Sequence, residues 1–348
     1  MNFLGFFVII LIACSFVHGD PKVPCHFIFG DSLFDVGNNN NLTTVAKANY
    51  APYGIDFPGS VATGRFTNGL TITDVITNLL GIRGLILPFT TANGSDSLRG
   101  VNYASGSGGI RPESGARLGD RIWLARQVIN HGATIAKLQP YVFGSVSKYL
   151  NKCLYTVDIG SNDYINNYFM PQYYPSKAIF TPDQFATALV TDYGKQLQVL
   201  YTYGARKIAI FGLGSIGCTP AEIQMNNATQ CVDEINQAVI IFNQKLITLV
   251  DNLNAKLIGV NITYIDTLAI QTAAPVPPDF NVVGTCCKVR SDFQCEPNVP
   301  PCPDRTLYAF MDGYHTTEVV NVPTAQTAFN SPSPTFVHPV DINTLVSS

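Results

Sequence analysis

Charge is scarce in this chain of 348 residues. Only 13% of its side chains are Asp, Glu, Lys or Arg, and 21 basic residues against 24 acidic ones leave a net charge of −3. That balance offers no basic footprint for a phosphate backbone, so nucleic acid is excluded as a partner. Apolar runs of the ~20 residues needed to span a bilayer are absent as well. So are the G-x-S-x-G, H-E-x-x-H, C-x-x-C and P-loop patterns, which removes several common hydrolase, zinc and nucleotide chemistries. Apolar material is plentiful, at 46% of the chain, enough to fill a large core and to exclude disorder.

The first charged side chain is Asp20, and residues 3–17 form an apolar run broken only by small residues such as Gly5 and Ser15. Val17-His18-Gly19 follows, with modest side chains at the −3 and −1 positions. The pattern is that of a secretory signal peptide, residues 1–19, removed after Gly19. Of nine cysteines, Cys14 falls in this segment and an even set remains: Cys25, Cys153, Cys218, Cys231, Cys286, Cys287, Cys295 and Cys302. Export and an even count predict disulfides, with the connectivity open. Sequons at Asn41, Asn93, Asn227 and Asn261 fit glycosylation on a secretory route. The expected location is extracellular, with the cell wall as one candidate destination.

Near-continuous apolar runs at 25–29, 154–159, 207–211 and 262–265 suit strands of a parallel sheet buried on both faces. Helical periodicity lies between them. In 71–80, Ile72, Val75, Ile76 and Leu79 share a face. The segment 181–203 opens on Thr181-Pro182-Asp183 and carries Phe185, Leu189, Tyr193 and Leu197; 232–257 carries Ile235, Val239, Phe242, Leu246 and Leu249. Strands alternating with long helices predict a single doubly wound α/β domain over 20–348, with its chemistry just beyond the carboxyl ends of the strands. Residues 273–304, rich in Pro and Cys, read as a cross-linked loop. Pro323, Pro332, Pro334 and Pro339 predict that any closing helix is short.

Gly30-Asp31-Ser32-Leu33 follows the first strand run and puts a hydroxyl at the edge of the sheet, behind a glycine able to turn tightly. Asp-Ser also makes ordinary turns and helix caps, so the tetrapeptide alone decides little. Asp312-Gly313-Tyr314-His315 decides more. A hydroxyl needs a base to attack an ester at neutral pH, the imidazole needs an orienting carboxylate, and Asp and His three positions apart can meet on one turn. His26, His131 and His338 have no Asp or Glu within the four preceding residues, which leaves His315 as the candidate base. Donors for an oxyanion are offered by Asn102-Tyr103-Ala104-Ser105-Gly106-Ser107-Gly108-Gly109 and by Asn162 in Gly160-Ser161-Asn162-Asp163. Turn-forming glycines and a helix cap are the plainer readings of these two loops.

These blocks, in this order, resemble the plant-type GDSL esterase/lipase branch of the SGNH hydrolases. So do Asp35-Val36-Gly37-Asn38-Asn39-Asn40, Pro52-Tyr53-Gly54-Ile55-Asp56-Phe57, Thr63-Gly64-Arg65-Phe66-Thr67-Asn68-Gly69 and Gly217-Cys218-Thr219-Pro220, and the similarity spans 24–318. The resemblance implies a flavodoxin-like α/β/α sandwich with a mainly parallel sheet, no cofactor and no metal. It implies Ser32 as nucleophile, Asp312 and His315 completing a triad, and an oxyanion hole from the Ser32 amide, the Gly106 amide and the Asn162 side chain. The substrate would be a small-molecule or lipid ester. The chain departs from the family at Met311 and Thr316, where Trp and Pro are usual; the replacements are expected to loosen the turn that holds His315. It departs again at Asp158, a carboxylate where the family carries an uncharged residue, and in a short segment between Asp266 and Cys286.

Gly212-Leu213-Gly214-Ser215-Ile216-Gly217 matches G-x-G-x-x-G, but Cys218-Thr219-Pro220 interrupts the helix that a dinucleotide would need. The four late cysteines lack zinc-ligand spacing. The leading expectation is therefore a secreted serine hydrolase of acyl esters working through an acyl-enzyme. Acyl transfer to an alcohol by the same triad, and a catalytically silent secreted binding protein, are the alternatives. Neither acyl-chain length nor oligomeric state is legible.

Overall fold

Apolar runs of about five residues are too short for stable helices, and each expected one forms a strand in the computed structural model, which describes residues 20–348. The expected signal peptide, 1–19, lies outside the described residues. β1 (His26–Gly30), β2 (Leu154–Asp158), β3 (Lys207–Phe211) and β4 (Asn261–Ile265) lie side by side in that order and run parallel. β5 (Asn281–Thr285) and β6 (Tyr308–Phe310) pair apart from them, and β7 (Val337–His338) closes the far edge antiparallel to β4. On the other side of β1, residues 101–105 continue the parallel ladder. The Ile28 amide donates to Val101 O at 3.0 Å, and the Tyr103 and Ser105 amides donate to Ile28 O and Gly30 O at 2.7 and 3.1 Å. The chain thus leaves β1 to one side and returns to β2 on the other. Doubly wound sheets bind ligands at such a reversal of strand order.

Both faces of the sheet are covered. Phe27, Phe29, Tyr155, Val157, Ile208 and Ile210 join a core with the helices Leu124–Leu138, Pro182–Tyr203 and Asp233–Lys256. Ile28, Leu154, Ala209 and Phe211 join a second core with Ile72–Leu79, Glu318–Phe329 and Ile342–Ser347. This is the expected α/β/α sandwich, and burial from both sides is why the strand runs show no polar alternation. Capping boxes start two helices, Thr71 with Asp74 and Thr181 with Gln184, and Gly204 ends the second at φ 115°. Leu249 is half-buried, Val250 taking the inward position that periodicity assigns to its neighbour.

One local expectation fails, and one holds only for the last helix, Ile342–Ser347, which has six residues. Residues 273–304 are not loop throughout, because β5 finds a partner in β6, although Cys286–Cys302 and Cys287–Cys295 do cross-link the region. The tail carries a 12-residue helix, Glu318–Phe329, with Pro323 inside it. Proline removes one amide hydrogen bond, and burying Ala325, Ala328 and Phe329 against the sheet outweighs that loss.

Cys218–Cys231 and Cys25–Cys153 complete the pairing. The latter ties the residue before β1 to the residue before β2 across 128 positions of chain. A loop of that length gives a cross-link its largest effect on the unfolded state, ~2–5 kcal/mol. Replacing Cys25 and Cys153 together by Ala is expected to lower the unfolding free energy by that amount, measured as the urea midpoint, and an unchanged midpoint would refute stabilisation by this cross-link.

Candidate active site

Ser32 leaves the end of β1 in a tight turn that Gly30 permits: a Cβ on Gly30 would stand 2.6 Å from Asp158 O on the neighbouring strand. His315 arrives from the opposite end of the chain. Its Nε2 stands 2.8 Å from Ser32 Oγ, and its Nδ1 stands 2.8 Å from both Asp312 Oδ1 and Oδ2. Asp312 is fully buried. Its Oδ1 also accepts the amides of Tyr314 and His315, both at 2.9 Å, and its Oδ2 accepts the Tyr53 hydroxyl at 2.5 Å. Burial by itself would raise the Asp312 carboxyl, but the adjacent His315 and these donors outweigh it and hold the group below the usual carboxylate range.

The turn that carries His315 is not loosened by Met311 and Thr316. The Met311 amide donates to His315 O at 2.8 Å, Phe310 and Thr316 bridge antiparallel, and Thr316 Oγ1 donates to Asn321 Oδ1 at 2.6 Å. Met311 itself is fully buried among Tyr53, Phe66, Cys286, Cys287 and Cys295. Main-chain pairing holds what a Trp and a Pro were expected to hold.

The oxyanion donors need one correction. The Gly106 amide does not face the cavity; it donates to Asp35 Oδ2 at 2.9 Å. Asp35 is buried, and its Oδ1 takes the Gly37 and Asn38 amides at 2.7 and 2.8 Å. Asn38 Nδ2 reaches Asn102 O and Ala104 O, and Asn39 Nδ2 reaches Gly106 O, so this block clamps the whole loop. Gly106 is glycine for space, because a Cβ there would stand 2.7 Å from the Phe66 ring. The next residue, Ser107, held at φ 61°, lines the cavity instead. Among the described residues, the amides of Ser32 and Ser107 have no protein acceptor. Asn162 lines the same cavity, its Nδ2 3.1 Å from Gly108 O and its Oδ1 accepting from Asn166 at 2.8 Å.

Ser32, His315, Ser107 and Asn162 converge on a cavity of about 120 Å³ whose further walls include Ile165, Ile216, Met225 and Phe293, with Arg117 at its side. The other histidines do different work. His26 bridges Thr77 and Thr156 at 2.9 Å each, and His131 sits among Phe27, Phe29, Tyr103 and Tyr155; burial pushes both down to about 3. His338 is exposed and meets Asp251 at 2.7 Å, a partner distant in sequence. Amides of the glycine-rich loop are committed to protein acceptors: Leu213 to Asn243, Ser215 to Gln271 and Gly217 to Asn236. Among the described residues no group of three His, Cys, Asp or Glu could hold a metal ion, and no helix is long and apolar enough to cross a membrane.

An α/β/α sheet with serine, histidine and aspartate gathered at its strand-order reversal defines a hydrolase class, and comparison with known proteins narrows it. The family described as GDSL-like Lipase/Acylhydrolase matches residues 27–325. Three GDSL esterase/lipases of Arabidopsis thaliana are 45%, 44% and 43% identical over 97%, 98% and 97% of this chain and 96%, 98% and 95% of their own. The chain belongs to this family as a plant-type GDSL esterase/lipase, a carboxylic ester hydrolase. A carbohydrate acetylesterase from Sinorhizobium meliloti is also similar, at 13% identity and a TM-score of 0.38 over 87% of this chain and 95% of that one, too remote to bear on the site.

Asp158, the carboxylate unusual for the family, is buried at the end of β2 and not at the surface. Burial raises it well above the usual carboxylate range, with the neighbouring Asp31 adding to the rise; burial likewise pushes Asp31 up to about 7. A carboxyl whose folded-state pKa is raised above its unfolded value carries no penalty below the unfolded pKa and costs the fold stability as pH rises beyond it, for Asp31 up to about 7. Asp158→Asn is therefore expected to raise the thermal midpoint at pH 8 and to change it little at pH 4. An equal shift at both would remove the electrostatic account.

Proposed function

We propose that the protein is a secreted hydrolase that cleaves carboxylic esters through an acyl-enzyme on Ser32. The observation that carries this reading is the continuous chain from Ser32 Oγ to His315 Nε2 at 2.8 Å and from His315 Nδ1 to the buried Asp312 at 2.8 Å. His315 takes the Ser32 proton as Oγ attacks the ester carbonyl, and Asp312 stabilises the imidazolium and fixes its tautomer. Negative charge on the carbonyl oxygen is received by the Ser32 amide, the Ser107 amide and Asn162 Nδ2. As the tetrahedral intermediate collapses, the C–O bond to the alcohol breaks and His315 returns the proton to that leaving oxygen. Water then gives its proton to His315 and attacks the acyl carbonyl; the C–Oγ bond breaks, His315 returns the proton to Ser32 and the acid leaves.

Four disulfides, together with Asn41, Asn93, Asn227 and Asn261 all being exposed, support export through a glycosylating compartment. The walls of the cavity are mixed, and Leu33, Ile165, Ile216, Met225 and Phe293 give it an apolar side that suits an acyl group beside polar residues such as Asn166, Thr219 and Gln294.

Hydrolysis of chromogenic esters of rising acyl length, compared between the native protein and Ser32→Ala, tests the proposal; the variant is expected to lose activity by at least ~1,000-fold, and equal rates would end the reading. Asn162→Ala is expected to lower kcat by ~100-fold with little change in KM, because its donor acts on charge that develops only in the transition state.

A further inference from the structure

Besides the histidine and the turn's own amides, Asp312 has a second side-chain partner, and it comes from a distant part of the chain. Tyr53, 1% exposed, donates its hydroxyl to Asp312 Oδ2 at 2.5 Å across 259 positions of sequence. The same hydroxyl accepts the Cys295 amide at 3.0 Å. An amide can only donate, so the single phenol proton is committed to the carboxylate. Tyr50, packed edge-to-face on Tyr53 at 5.3 Å, donates its hydroxyl to Cys295 O at 3.0 Å and fixes that peptide from the other side. Cys295 is in turn tied to Cys287, whose amide donates to Met311 O at 2.9 Å beside the catalytic turn. The hydroxyl thus sits in a closed frame, dry and aimed at one atom.

We propose that Tyr53 is a positioning residue for ester hydrolysis, acting through Asp312. The proposal rests on the reading of Ser32, His315 and Asp312 as the reacting triad. Oδ2 shares its charge between the phenol and His315 Nδ1, which fixes the carboxylate against the imidazole and limits how strongly it retains the imidazolium proton. Burial and the Asp312 charge push the phenol far up, so it remains a donor throughout the working range. Without the hydroxyl, the charge on Oδ2 falls on His315 alone. The imidazolium is then held too tightly to return its proton readily to the leaving alcohol.

Tyr53→Phe keeps the ring and removes only the donor. It is expected to lower kcat roughly 10-fold with KM little changed, and to move the acid limb of the kcat/KM profile to higher pH. Replacing Tyr53 with 3,5-difluorotyrosine, which keeps ring and hydroxyl but makes a stronger donor, is expected to move that limb the opposite way; it serves as the test should the Phe variant fail to fold. Ser32→Ala, assayed in parallel, separates the two readings. If it retains activity, the triad itself is misassigned. If it is inactive while both Tyr53 variants keep the native kcat and pH profile, the positioning role is overturned. A stability loss without the kinetic split and without the displaced limb also overturns it, because a purely structural tyrosine would give that result.

Discussion

The parallel pairing of β1 on both its edges is the constraint from which the site follows. Residues 101–105 lie along one edge and β2 along the other, so three segments remote in sequence end at the same level of the sheet. Ser32, Ser107 and Asn162 each lie within a few residues of one of those ends. A parallel ladder requires each crossover to return over the sheet, and the helices that make the returns bury both faces. The sheet therefore cannot shift register to move one of the three groups without exposing apolar side chains of both cores.

Placement to within a few tenths of an ångström needs more than a sheet, and buried polar groups supply it. Asp35, Asn38 and Asn39 turn their side chains onto the backbone of the loop holding Ser107, taking amides with a carboxylate and carbonyls with carboxamides. Each partner is buried, so each bond lost would leave an unpaired group away from water. That cost makes the loop's shape specific. It also explains how Ser107 is kept at a backbone angle that a serine in an open loop would leave.

The other half of the site depends on a small separate core. Tyr53, Phe66, Met311, Cys286, Cys287 and Cys295 pack behind the Asp312–His315 turn, and two disulfides close the segment that covers it. This cluster is small, and the cross-links reduce the entropy that must be overcome to order the segment over it. Phe66 adds a contact of its own, its ring centroid 4.8 Å from that of His315. The Asp312–His315 turn is thus held by neighbours brought from residues 50–66 and 286–295.

Sequence alone determined the layers and singled out Ser32, Asp312 and His315, which the fold brings together at the candidate site. Four apolar runs, the capped helices and the Asp312 to His315 spacing are local patterns, and local patterns survive in a string of letters because their physics involves neighbours a few residues apart. Asp158 was visible as an unusual charge, but its burial was not, since a strand's exposure at its end depends on what packs over it. The β5–β6 pairing, the helix tolerating Pro323 and the pairing of eight cysteines depend on partners distant along the chain. Gly106 was mistaken for a donor because sequence marks where a backbone needs glycine but not where its amide points; only the tertiary fold turned that amide to Asp35 and presented Ser107. Tyr53 was invisible for the same reason: its effect on Asp312 arises from a contact across 259 positions, and such a contact exists only once the chain has closed on itself.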